Sequence, residues 1–210
     1  MKFRTLTNIL WLLKNHRKIK NWKKRNFSPP SPEFIKHQII KNNNMQDSAW
    51  IETGTYYGET TKILSQISNK IVSIEADQDL YNLAKKNFSN FKNIELMFGR
   101  SEDKLTEALD KIKAYKNICI YLDAHLCHDH IKNKKTFGDE KDATPIKKEL
   151  KFIEDKKDEF DKINILIDDI RLFNNKFQNY PKKDYLVNWC EENDFDWEIE
   201  QDIFICKRIK

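Results

Sequence analysis

From Ala49 onwards, short runs rich in Ile, Val and Leu alternate with amphipathic stretches long enough for helices, and this alternation limits the fold more than any other feature of the chain. Strands are expected at 49–53, 70–76, 94–98, 117–123 and 163–168, with helices at about 59–68, 78–88, 101–113 and 145–160 between them. Apolar runs joined by helical crossovers make a parallel sheet with right-handed connections. After a helix expected at 182–192, the stretches 195–200 and 202–207 are strand-like and almost contiguous, so they should form an antiparallel hairpin at the sheet edge. The expected class is α/β: a Rossmann-like, doubly wound, mostly parallel seven-stranded sheet with an antiparallel C-terminal hairpin. A length of 210 residues suits one such domain. We place it at residues 48–210, behind a basic arm at 1–47 that holds a short helix at 33–41 and the stiff linker Ser28-Pro-Pro-Ser-Pro32.

Charge separates the arm from the body. Residues 1–25 contain nine Lys or Arg and no acid, so with a net charge of +5 the remaining residues sum to about −4. A basic-protein argument for nucleic acid therefore fails for the body, and nucleic acid is not the expected partner. Leu6, Ile9, Leu10 and Leu13 fall at helical spacing ahead of Lys14, Arg17, Lys18 and Lys20. Such a helix could lie on an anionic membrane surface or a polyanionic acceptor, or pack on the domain or on a second subunit of a homo-oligomer. No apolar run approaches the roughly 18–20 residues of a membrane span. The four cysteines follow no disulfide spacing and read as reduced thiols of a cytoplasmic protein, with Cys119 and Cys206 in the core; contact of the arm would place it at the inner face of the membrane.

The residues that carry chemistry sit where strands are expected to end, which is where open α/β sheets bind ligands. Trp50-Ile-Glu-Thr-Gly-Thr-Tyr-Tyr-Gly58 reads as a strand end, a turn framed by Gly54 and Gly58, and a helix start; missing Cβ atoms and free helix amides suit a negatively charged ligand group. Tyr56 and Tyr57 in that turn serve either cofactor contact or packing. Glu75 ends the second strand about twenty residues after Gly54, the spacing of a carboxylate that accepts from ribose hydroxyls. At the third strand end, Phe98-Gly99-Arg100-Ser101 could meet a purine edge. Asp123 and the pair Asp168–Asp169 end strands expected to be neighbours about 4.8 Å apart. Three such carboxylates repel unless a positive charge lies among them, and Mg²⁺ or a similar hard cation fits; otherwise one caps a helix and another pairs with a Lys or Arg such as Arg171. His125 is the general-base candidate, with Asp123 beside it. His125, Cys127, His128 and His130 also suggest zinc, but no second ligand pair occurs elsewhere. The loop 124–144 has the length of a lid or substrate-binding segment.

Together, Glu52-Thr-Gly-Thr-Tyr-Tyr-Gly58, Ser73-Ile-Glu75-Ala-Asp77, Gly99-Arg-Ser101, Leu122-Asp-Ala-His125 and Ile165–Phe173 resemble the class I S-adenosylmethionine-dependent methyltransferases. Within that superfamily the chain is similar to bacterial proteins of surface-saccharide biosynthesis and to macrocin-type, metal-assisted sugar O-methyltransferases. The resemblance spans about Trp50 to Asn188. It implies that Glu52, Gly54 and Gly58 line the methionine part of S-adenosylmethionine, that Glu75 holds the ribose, and that Arg100 and Ser101 lie near the adenine, with Tyr57 and Asp123 also among the cofactor-binding residues. It assigns Asp123, Asp168 and Asp169 to a divalent cation, and a sugar or sugar-linked hydroxyl to the acceptor. Two departures concern the acceptor and the adenine contacts: Leu126-Cys-His-Asp-His130 stands where a Gly-rich stretch is expected, and Gly99-Arg100 replaces the commoner Gly-Asp. An RNA methyltransferase is the alternative, because Trp22-Lys-Lys-Arg-Asn-Phe27 interleaves aromatic rings with cations. A non-enzymatic binding module on the same fold is another. A nicotinamide-dependent dehydrogenase fits less well, since the first turn lacks the three-glycine fingerprint.

Overall fold

The computed structural model describes residues 15–125, the backbone of 128–129 and 134–135, and residues 144–174, 176 and 180–210. The apolar repeat at 6–13, together with Cys127, His130 and the side chain of His128, lies outside the described residues.

After a helix that includes residues 15–24 (α1), the order is α2 (Glu33–Asn42), β1 (Ala49–Thr53), α3 (Glu59–Leu64), β2 (Lys70–Glu75), α4 (Gln78–Asn87), β3 (Ile94–Phe98), α5 (Ser101–Ile112) and β4 (Asn117–Leu122). A two-stranded ribbon follows, β5 (His128–Asp129) with β6 (Lys134–Lys135), which the sequence reading did not anticipate. Then come α6 (Ile146–Lys156), β7 (Lys162–Ile167), α7 (Lys183–Glu192), β8 (Asp196–Glu200) and β9 (Ile203–Ile209). The expected seven-stranded sheet forms, in the order β3-β2-β1-β4-β7-β9-β8. Its first five strands are parallel; β9 runs antiparallel to β7, and β8 closes the edge as the outer strand of the hairpin.

The helix expected at 59–68 stops earlier, at Leu64, and the helix expected to reach Phe160 ends at Lys156, where a 3₁₀ turn at Lys157–Glu159 takes over. Alternation along the strands feeds two cores. On one face Ile51, Ile74 and Ile120 pack with Leu105 and Leu109 of α5, Leu150 of α6 and Leu186 of α7. On the other, Trp50, Ile71 and Tyr121 pack with Leu64 of α3 and with Ile39 and Ile40 of α2. Thus α2, which precedes residue 48, places two fully buried side chains in the core. Cys119, Cys190 and Cys206 are buried free thiols. Among the described residues no helix is long and apolar enough to cross a membrane.

Candidate functional site

Parallel strands in register deliver their C-terminal ends to one rim. Thr53 pairs with Ile74 on one side and with Leu122 on the other, and Leu122 pairs with Ile167. Gly54, Glu75, Asp123 and Asp168 therefore stand along that rim within one residue of their neighbours' register. The Gly54 amide donates to the Ile74 carbonyl at 2.9 Å and the Asp123 amide to the Thr53 carbonyl at 3.1 Å.

The glycines of the first turn have a different reason from the one expected. Gly54 and Gly58 have φ of +85° and +80°, and a Cβ on either would strike protein: the Asp123 carbonyl oxygen at 2.8 Å for Gly54, the Phe88 ring at 2.5 Å for Gly58. Their missing side chains let the turn close on the chain itself. Tyr56 takes φ of +51° in the same turn, and its ring meets Tyr57 edge-on.

Two carboxyls organise this half of the rim. Glu52 is fully buried and accepts from Thr61 Oγ1 at 2.6 Å and Ser73 Oγ at 2.5 Å, while its Oε1 has no hydrogen-bond partner among the described residues. Burial pushes its pKa up to about 8, against the pull of those two hydroxyls. Glu75 is buried too, and burial raises it; its Oε2 accepts from the Tyr56 amide at 2.7 Å and its Oε1 from the Asp77 amide at 2.8 Å. Ser101, at the first position of α5, is buried, and Arg100 pairs with Glu102 at 2.5 Å.

The other half is a small cleft, open to solvent and lined in part by Asp123, His125, Glu149, Asp168, Asp169 and Tyr180. Asp123 does lie beside Asp168, as expected from the strand order. However, the positive charge among the carboxylates comes from side chains. Asp168 Oδ2 pairs with Lys36 Nζ and accepts from the Tyr121 hydroxyl at 2.6 Å, and its Oδ1 accepts from the Asp169 amide at 2.8 Å. Asp169 pairs with Arg171, which also holds Asp202. His125 bridges, with Nδ1 3.3 Å from Asp123 and Nε2 3.5 Å from Asp169.

These contacts correct two expectations. Among the described residues no group of three His, Cys, Asp or Glu is arranged to hold a metal ion, and Asp123, Asp168 and Asp169 each already face a cationic side chain. The residues present do not fit a resident divalent cation. His125 is the second correction. Burial lowers its pKa, but Asp123 and Asp169 outweigh burial and raise it to about 9. With both nitrogens turned to carboxylates the imidazolium form is favoured, and an imidazolium has no lone pair to take a proton. Asp123 is pushed up to about 6 by burial and by Asp168.

Three site residues escaped the sequence reading. Lys36 and Tyr121 reach Asp168 from 132 and 47 residues away, distances that no motif spacing records. Glu149, in the first turn of α6, has 1% of its surface exposed, and burial pushes its carboxyl up to about 7. A Glu among the lysines of an amphipathic helix gave no signal of burial.

No family model matches the chain. It is 29% identical over 166 residues to ribosomal RNA small subunit methyltransferase A of Mycoplasmopsis pulmonis, an alignment covering 73% of this chain and 64% of the relative; the chain thus spans less than two thirds of that protein's length. Among solved structures it resembles the N-methyltransferase NodS of Bradyrhizobium japonicum, with a TM-score of 0.54 and 8% identity over 83% of this chain and 94% of the other. It also resembles a putative caffeoyl-CoA O-methyltransferase of Staphylococcus aureus, with a TM-score of 0.50 and 15% identity over 97% and 100%. At these identities the structures show the fold alone: the mostly parallel seven-stranded α/β fold with its antiparallel hairpin. The expectation against nucleic acid finds no support in the curated relative.

Proposed function

We propose that the chain is an S-adenosylmethionine-dependent methyltransferase. The observation that carries this reading is the convergence on one rim of Gly54, Glu52, Glu75 and Asp123, delivered by three adjacent parallel strands. The chemistry of the rim suits this cofactor, whose ammonium and ribose hydroxyls are donors and whose sulfonium is cationic. The Glu75 carboxylate is pinned by two backbone amides with lone pairs to spare, and Glu52 Oε1 is a buried polar atom without a partner among the described residues, which becomes an acceptor when a bound ammonium draws the carboxyl proton off. Glu52, Glu75 and Tyr57 would hold the amino-acid and ribose parts, and Arg100 and Ser101 the adenine end.

The bound cofactor supplies an activated methyl group, so the protein's task is alignment and proton removal. Asp123, at the junction of the two halves and next to imidazolium His125, is the group placed to take a proton from the acceptor. His125 then orients Asp123 and no longer acts as the base. For the acceptor, the resemblance to surface-saccharide enzymes supports a sugar-linked hydroxyl; this rests on analogy. RNA is the second reading, favoured by the curated relative's rRNA activity and by exposed Arg17, Lys18, Lys20, Lys23, Lys24 and Arg25. Trp22 is not part of that face: it is buried, donates to the Ser28 carbonyl at 3.1 Å and packs on Phe27.

Titration calorimetry of the full chain with S-adenosylmethionine tests the proposal. One-site binding is expected, weakened roughly tenfold or more in Glu75→Gln, whose amide cannot accept at both atoms. An absence of heat, at two temperatures so that a zero enthalpy does not mislead, would favour a non-enzymatic module.

A further inference from the structure

The resemblance assigns a divalent ion to a place where this chain puts an ammonium. Lys36 pairs with Asp168 Oδ2, the oxygen that also takes the Tyr121 hydroxyl, and Oδ1 takes the Asp169 amide. Asp168 therefore has three donors on its two oxygens. Lys36 is not a solvated surface lysine that happens to reach over. Ile39 and Ile40 lie three and four residues on, hence on the same face of α2, and both are fully buried against the sheet. The face that anchors the helix is the face that aims the ammonium at the rim.

We propose that Lys36 is the resident cation of the acidic rim, standing where the three aspartates would otherwise gather a divalent metal ion. The charges of Asp168, Asp123 and Asp169 together overcome the cost of burying the ammonium and hold its proton more firmly than in water. A divalent ion entering this cluster would meet Lys36, His125 and Arg171 at close range, and it would have to displace the first of them to reach Asp168 Oδ2. In this chain the cation that balances the strand-end carboxylates is covalently attached and is delivered by the helix that precedes β1. The inference concerns the charge balance of the rim and does not rest on methyl transfer.

The test is Mn²⁺ binding to the full chain, followed by electron paramagnetic resonance without S-adenosylmethionine or acceptor. Wild type and Lys36→Arg are expected to leave the free-ion signal intact. Lys36→Gln removes the positive charge and frees Asp168 Oδ2, so it should bind one Mn²⁺ at least about tenfold more tightly than wild type. The double variant Lys36→Gln/Asp168→Asn should lose that gain. Wild type binding Mn²⁺ as tightly as Lys36→Gln would overturn the proposal. So would a Lys36→Gln protein with the near-ultraviolet circular dichroism of wild type that takes up no more metal than wild type. If Lys36→Gln does not fold, wild type and Lys36→Arg decide: Mn²⁺ held by either overturns the proposal, and Mn²⁺ held by neither supports it. Cofactor calorimetry is a separate readout, so failure here leaves the methyltransferase reading standing.

Discussion

Glu52 shows how a residue legible in a motif can acquire its chemistry from the fold. Its position at the end of β1 is plain from the sequence; its isolation from water is not. With its pKa raised from 4.5 to about 8, the folded state holds a proton that the unfolded chain releases. The stability this contributes is complete below the unfolded value and is lost as pH rises towards the folded one. The thermal midpoint should therefore fall between about pH 5 and pH 8, at up to about 1.4 kcal/mol per pH unit as an upper limit, and Glu52→Gln should flatten that fall. Parallel midpoint curves for the two proteins would show that Glu52 ionises in the folded state as it does in water. Gly54 and Gly58 make a related point: their place in the turn is evident from sequence, but that Asp123 and Phe88 occupy the space a Cβ would need is a long-range fact.

Between elements, the junction of β7 with the β8–β9 hairpin depends on a few polar contacts. The Arg171 guanidinium joins Asp169 to Asp202, while the Arg171 amide donates to Asp202 Oδ1 and the Ile170 amide to the Asp202 carbonyl, each at 3.0 Å. Asp202 is buried, so Arg171→Met would leave its carboxylate with the backbone amide of residue 171 as its remaining donor among the described residues. We expect a cost of about 1–3 kcal/mol, below that of a fully buried pair because the guanidinium is partly exposed. A urea denaturation midpoint reads it, and Asp202→Asn in the Arg171→Met background should recover part of the loss. An unchanged midpoint would mean that the backbone bonds alone secure the junction. In the same way α2 was legible as a helix, but its role as carrier of Lys36 was not.

Across the whole molecule, positive charge is concentrated at the N-terminus and the body is mildly acidic. If the exposed cations at 17–25 engage RNA, binding should weaken steeply with salt. Four phosphate contacts on a single strand give a slope of about −3 in log affinity against log salt. Replacing Lys18, Lys20, Lys23 and Lys24 with Gln should flatten that slope and leave S-adenosylmethionine affinity unchanged. Filter binding across a salt series measures both proteins, and a slope that the four substitutions leave unaltered would remove the RNA reading. The mostly parallel seven-stranded sheet, the adjacency of β4 and β7 and the edge hairpin were also legible at this scale, because parallel strands and helical crossovers leave few topologies. The ribbon β5–β6 was not, since two residues per strand carry no periodicity.

Local pattern alone determined the strands, the turn glycines, the acidic strand ends and the hairpin, because each is written in residues a few positions apart. Tertiary structure alone decided which charge stands beside which. Lys36 on Asp168, Arg171 on Asp202 and the protonation of His125 depend on burial and on contacts between distant segments, and electrostatic free energy is a property of that assembled environment rather than of any stretch of chain.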